Sequence, residues 1–360
     1  WGYLIEYYSR STTGFKELDG RGDNDRSGIP DLRGEANTGF DRQEPMLKLF
    51  WEPKTNLYQR IEAKFGFSNL DANETYTGLN TADFDRNPLR RYSASRFDEI
   101  ESTQFRTYIR HFAELNNATS LVTTIYGNTF NRNWQKLNEV ATSGDYGDAS
   151  GTNQSVAMGA GPGNAGYDCL VGSAACQFTV KNNNRTYYSW GIQSNLNHKL
   201  VTAGGTKHNI DLNVRYHYDQ IRRMQWRETY TQEAGGGISA VVTGARGSAG
   251  DRTQYTDALA VNITDAMQKG KWTFTPGIRT EYIMAGFCDG ECGKAGVAEN
   301  DHDYAVVVGG GSLKYDVYDV DGRDLDWFGG VHTGFSPADP RGGINNHLRQ
   351  EKSLAFELGT

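Results

Sequence analysis

The chain has 360 residues, of which 37% are hydrophobic, and a formal net charge of -7. Its mean hydropathy of -0.66 and its lack of any apolar run near the roughly 18 residues of a spanning helix exclude a helical membrane protein. The 37 basic and 44 acidic side chains leave no basic excess, which argues against a nucleic-acid partner. No break in composition divides the chain, so we expect a single domain.

Twelve segments, taken in chain order, have the residue pattern of β-strands. They lie at 2–9, 44–54, 58–67, 101–113, 119–130, 185–197, 207–218, 251–264, 271–284, 302–316, 324–334 and 351–360. Long connections at 10–43, 68–100, 131–184, 219–250, 285–301 and 335–350 alternate with short turns near 55, 115, 202, 267 and 320. Outer-membrane barrels sort their connections in this way, because every strand crosses the bilayer and the long loops collect at the outer rim. The alternation predicts an all-β fold, an antiparallel transmembrane β-barrel fragment of about twelve strands.

Apolar and polar residues alternate within several of these segments, as in 208–218 and 271–282. An amphipathic helix would break this alternation within one turn. Charged residues on the polar face also disfavour a dry β-sandwich or a propeller, where unpaired charge is costly. The alternation assigns Ile210, Leu212, Val214, Trp272, Phe274 and Ile278 to lipid, and Asn213, Arg215, Arg279 and Glu281 to the lumen.

The four cysteines lie in two of the long connections, Cys169 with Cys176 and Cys288 with Cys292. In an oxidising compartment the nearest pairs predict one disulfide in each loop. Pairing across the two loops stays open. A metal site of four thiolates is the other alternative, which the spacings of seven and four disfavour because they are not paired CxxC motifs. We expect no metal site.

Arg86, Arg90 and Arg91, with Tyr92, form the densest cationic cluster in the predicted loops. Guanidinium groups recognise anionic ligands through paired, charge-assisted hydrogen bonds, so these four residues are the candidate ligand-binding set. The alternatives are a solvated loop or a loop held together by Asp83, Asp85 and Asp98. DNDRSG at 23–28 resembles the start of a calcium loop but lacks the last ligand of that motif. We find no catalytic constellation.

Four stretches resemble TonB-dependent siderophore receptors of the ferric-citrate-receptor type. They are NETYTGLNTADFDRNPLRRYSAS (73–95), NRNWQKL (131–137), WTFTPGIRTEY (272–282) and GFSPADPRGGINNHLRQEKSLAFELG (334–359). The resemblance implies a barrel of 22 strands, an N-terminal plug in its lumen and a TonB-contacting segment before the plug. We therefore expect residues 1–360 to be a partial barrel domain, without the plug and the TonB box, that lacks the first couple of strands and roughly the last eight.

The same resemblance implies a function in the bacterial outer membrane. The receptor would import a ferric siderophore or ferric citrate, driven by the TonB-ExbB-ExbD complex through the plug. Its partners would be that complex, outer-membrane lipid and the ferric chelate, with no covalently bound cofactor and no enzymatic activity. The alternatives are a receptor for another nutrient, such as a corrinoid or a glycan, and a barrel enzyme or a porin.

Overall fold

The computed structural model describes residues 1–19, 38–140, 152–320, 323–341 and 348–360. The strands are β1 (Gly2–Thr12), β2 (Glu17–Leu18), β3 (Phe40–Trp51), β4 (Gln59–Ala72), β5 (Arg90–Arg91), β6 (Glu99–Asn116), β7 (Thr119–Val140), β8 (Thr152–Asn153), β9 (Cys176–Val201), β10 (Lys207–Gln232), β11 (Ile238–Thr243), β12 (Gly250–Lys269), β13 (Trp272–Cys288), β14 (Glu299–Val320), β15 (Arg323–Ser336) and β16 (Glu351–Gly359). The helices are α1 (Thr81–Arg86), α2 (Gln154–Ala160) and α3 (Ala165–Leu170), with a 3-10 turn at Ser93–Phe97. The DNDRSG stretch lies outside the described residues.

One large antiparallel sheet contains the twelve predicted strands. Its order is β1-β3-β4-β6-β7-β9-β10-β12-β13-β14-β15-β16, with β8 and β11 added beside β7 and β10. Each strand of this path pairs with the next one along the chain, so successive connections lie on opposite rims. At the short-turn rim, the pairing of β9 with β7 extends into the turn before β7, since the Lys199 amide donates to the Ala118 carbonyl at 2.8 Å. The predicted sorting of long and short connections onto two rims is confirmed.

Several strands extend further toward the long-loop rim than the sequence predicts. β7 continues to Val140, β9 begins at Cys176 and β10 continues to Gln232. The predicted connections 131–184 and 219–250 were therefore too long. The reason is that backbone hydrogen bonds continue the ladder above the region where one face is apolar, so that the period-two signal ends before the strand does.

The register aligns like residues into rows that cross the sheet. Leu121, Leu196, Leu212, Ile263 and Ile278 are successive cross-strand partners. One residue away along each strand, Asn195, Asn213, Asn262 and Arg279 form a polar row. We call the two sides of the sheet the apolar face and the polar face. Because side chains alternate strictly along a strand, the ten residues assigned to lipid and lumen divide between these faces as predicted.

The largest buried cluster lies at the long-loop rim rather than inside the sheet. This loop core contains Tyr92, Ala94, Phe97, Leu137, Val140, Ala157, Tyr167, Cys169, Leu170, Cys176, Phe178, Val180, Tyr230 and Ile238. Phe178 and Val180 share the apolar face of β9 with Leu196. The long connections therefore fold down onto the apolar face of β7, β9 and β10.

No helix among the described residues is both long enough and apolar enough to cross a membrane.

Candidate ligand-binding site

A buried polar cluster holds the loop that carries the predicted arginines. Asn80 caps α1, since its side-chain oxygen accepts the Asp83 amide at 2.8 Å, and the cap directs Asp83 inward, where its side chain is 2% exposed. Arg90 donates from Nε to both carboxylate oxygens of Asp19, at 2.8 and 2.6 Å, and from Nη1 to Asp83. The hydroxyls of Tyr92 and Tyr167 donate to the other Asp83 oxygen at 2.7 and 2.8 Å.

The electrostatics of this cluster favour the ionised pair. Burial acts to raise the pKa of Asp83, but the two tyrosine hydroxyls and the Arg90 cation outweigh it and hold that pKa below its ordinary value. Burial acts to lower the pKa of Arg90, and the contacts with Asp19 raise it instead. The Arg90 guanidinium therefore binds two carboxylates of its own chain, Asp19 and Asp83, which come from separate segments.

Arg91 and Asp98 fasten the same loop to β7. The Arg91 side chain is fully buried, and its Nη2 donates to the carbonyl oxygens of Ser95 at 2.6 Å and Asp98 at 3.1 Å. The Asp98 carboxylate accepts the amides of Leu137 at 2.5 Å and Tyr76 at 3.0 Å. Burial raises the pKa of Asp98 to about 7. The contacts of Asp83 and Asp98 support the alternative interpretation of the sequence, in which aspartates hold this loop together.

Of the four predicted ligand-binding residues, only Arg86 has a mostly exposed side chain. It is 73% exposed, and its Nη1 lies 3.8 Å from Asp83. The contacts of Arg90, Arg91 and Tyr92 favour a structural role for these three. A direct role of the set in ligand binding stays a prediction.

The cysteines are joined within their own loops. Cys169 is bonded to Cys176 and Cys288 to Cys292, which is the pairing that sequence proximity predicts. The first bridge connects α3 to the start of β9 inside the loop core, and the second closes the turn that follows β13. Each bridge closes a very short loop, so its effect is local stiffening of the loop tip.

A second group of cations, which the sequence did not predict, lines the polar face. One row crosses β7, β9, β10 and β12, and its successive cross-strand partners are Arg132, Arg185, Arg223 and Arg252. Nearer the long-loop rim, Lys181 is the partner of both Lys136 and Arg227. We call these seven side chains the cationic wall: Arg132, Lys136, Lys181, Arg185, Arg223, Arg227 and Arg252. All seven are half-buried.

The cationic wall lies toward the long-loop ends of the strands. Arg223 is roughly 16 residues from Lys207, where β10 begins, which is about 50 Å along a strand. A barrel strand inclined by about 40° would lift it about 40 Å, whereas the apolar band of such a barrel is about 25 Å tall. The wall is thus beyond the apolar band. Between its two rows, Gln225 donates to Asn183 at 2.7 Å, and both residues are buried.

The sequence missed this wall for two reasons. Arg132 and Arg223 lie past the predicted strand ends, so they were placed in loops, and Arg185 and Arg252 stand at predicted strand starts. Extending the alternation of polar and apolar positions past the predicted end of each strand would have placed these residues on the polar face. The cross-strand alignment needs the register, which the sequence does not contain.

The profile of the family "TonB dependent receptor-like, beta-barrel" matches residues 54–360. The chain belongs to this family. Its members are outer-membrane transporters rather than enzymes. A search of curated proteins finds no match.

Solved structures of similar fold include siderophore and ferric citrate receptors. The unliganded ferric citrate transporter FecA aligns with a TM-score of 0.64 at 14% identity, covering 89% of this chain and 40% of its own. The siderophore receptor PiuA from Acinetobacter baumannii has a TM-score of 0.64 at 11% identity, covering 99% and 50%. The closed form of the ferric-catecholate receptor Fiu from E. coli K12 has a TM-score of 0.62 at 11% identity, covering 96% and 47%. The chain spans about half the length of these proteins, and identities this low show the fold alone.

Proposed function

We propose that the chain is the partial barrel domain of an outer-membrane receptor that imports a ferric siderophore or ferric citrate. The observation that carries the proposal is the pair of rows that cross β7, β9, β10, β12 and β13, apolar on one face and polar on the other. In a transmembrane barrel, a sheet with this division separates lipid from a water-filled or plug-filled lumen. Family membership adds the transport class, and the receptors of similar fold are named for ferric chelates.

In this proposal the residues of the chain supply the wall and the outer loops of the receptor. The loop core holds the long connections in place above the apolar band. Energy would reach the receptor from TonB-ExbB-ExbD through a plug domain, which we expect outside residues 1–360. The ligand is a transported ferric chelate and not a resident cofactor.

The test is an uptake assay with the complete gene. A deletion strain of the host bacterium, complemented with the full-length receptor, is given a panel of radiolabelled iron(III) chelates under iron limitation. We expect receptor-dependent uptake of at least one chelate, abolished by collapse of the proton gradient. Uptake of a corrinoid or a glycan with none of the iron chelates would establish the other nutrient class instead. Passive, energy-independent flux would indicate a porin.

A further inference from the structure

Among the described residues, the cationic wall has fewer counter-charges than its geometry calls for. Residues directly opposite each other on adjacent strands have Cα atoms about 5 Å apart, and like charges at such positions are destabilising. Arg132, Arg185, Arg223 and Arg252 stand in this relation across four strands. Within the described part of the chain, the wall makes one ion pair, between Arg227 and Glu139 at 3.8 Å.

Buried donors of the wall are also unsatisfied. The Nε atoms of Arg132, Arg185, Arg223 and Arg227 are buried and have no hydrogen-bond partner among the described residues. A buried donor without a partner is costly, and more so when it is charged. Burial and the neighbouring Arg252 and Arg185 lower the pKa of Arg223. The arrangement is therefore more favourable when an anion lies against it.

The shape and chemistry of the wall narrow the kind of anion. The arginine row covers three interstrand spacings, about 14 Å, so one small monoanion would neutralise only part of it. Guanidinium groups pair with carboxylates in a two-pronged geometry that neutral hydroxamates cannot match. The wall also forms a local positive region in a chain of net charge -7, and such a region raises the rate at which anions arrive. Because the wall lies beyond the apolar band, ligands that enter from the long-loop rim can reach it.

We propose that the cationic wall binds an iron chelate that carries several ionised carboxylates. The proposal rests on the proposed function and specifies its substrate class. In the bound state the carboxylates lie along the arginine row and accept from the guanidinium groups. Lys136, whose Nζ is 4.0 Å from the centre of the Tyr76 ring and 5.1 Å from that of Trp134, bounds the site toward the loop.

The test uses the full-length receptor with Arg185→Gln and Arg223→Gln combined, which neutralises the centre of the row. Arg222→Gln is the matched control, because Arg222 is adjacent in sequence but lies on the opposite face, where it pairs with Asp251. The probes are iron(III) citrate, a neutral iron(III) tris-hydroxamate and an iron(III) tris-catecholate that has no free carboxylate. Affinities are measured by calorimetry at low and high salt.

We expect iron(III) citrate to bind the parent, and the double variant to lose about tenfold in affinity or more for each arginine, with a weaker salt dependence. The control should bind like the parent. The combined Arg185→Lys and Arg223→Lys variant, which keeps charge but loses the fork, should fall between them. This pattern would support the carboxylate-chelate site.

Other outcomes overturn the proposal in distinguishable ways. Equal binding of iron(III) citrate by the parent and the double variant would show that the wall is not the site. A loss of thermal stability with unchanged binding would mean that protein carboxylates neutralise the wall. Binding of only the tris-hydroxamate or the tris-catecholate would refute the carboxylate class and leave the proposed function intact. If the parent binds no iron chelate at all, the proposed function itself fails.

Discussion

Leu212 and Asn213 provide a direct test of the two faces, because they are adjacent in β10 and point to opposite sides. Leu212 lies on the apolar face between Leu196 and Ile263 and is 36% exposed. Asn213 lies on the polar face between Asn195 and Asn262. The perturbation is arginine at each position in turn, introduced into the full-length receptor.

The expected magnitudes differ strongly. Arginine on the lipid side of a barrel costs about 2–4 kcal/mol near the middle of the bilayer, and losing the leucine contacts adds about 1 kcal/mol. Leu212→Arg should therefore lower the free energy of unfolding by roughly 3–5 kcal/mol. Asn213→Arg, which meets neighbouring amides on an aqueous face, should change it by less than about 1 kcal/mol.

The assay measures insertion and stability together. Folded barrel is separated from unfolded chain by the difference in gel mobility between unheated and boiled samples, and urea titration in lipid vesicles gives the free energy of unfolding. Leu212→Arg should reduce the folded fraction and shift the urea midpoint downward, whereas Asn213→Arg should resemble the parent. Equal effects at the two positions, or a larger effect at Asn213, would refute the assignment of the faces.

Three further predictions concern the loops. Arg90→Gln should destabilise the loop core by about 3 kcal/mol, because it leaves buried carboxylates without their cation. The exposed control Arg86→Gln should be neutral. Limited proteolysis that cuts both variants equally would contradict this prediction. Mass spectrometry of the unreduced, digested receptor should find each disulfide within its own loop and neither free thiols nor zinc. The pKa of Asp98 is raised to about 7 from an ordinary 3.8, which means that the folded loop holds the proton more tightly than the unfolded loop. The stability of the loop is therefore full below pH 3.8 and falls as the pH rises to 7, by at most about 4 kcal/mol. Amide exchange of residues 73–98, corrected for intrinsic rates, should indicate more opening at pH 8 than at pH 5, and Asp98→Asn should remove the difference.

The sequence alone determined the strands, their faces and the two rims. Residues such as Leu212 and Asn213 reveal their faces locally, because lipid and water select side chains with a period of two and no distant partner is needed. The long and short connections were equally readable from chain order. Even so, the ends of β7, β9 and β10 were missed. Above the apolar band the alternation of apolar and polar residues is interrupted along β7 and β10, and at the start of β9 it is limited to the short run of Cys176, Phe178 and Val180.

Only the tertiary structure decided which arginines have partners in their own chain. Arg90 looked available in sequence, but Asp19 and Asp83 reach it from separate segments. Arg132, Arg185, Arg223 and Arg252 are scattered in sequence, and the register of four strands brings them into one row. Register depends on hydrogen bonds and packing between segments far apart in the chain, and charge density along the sequence contains neither.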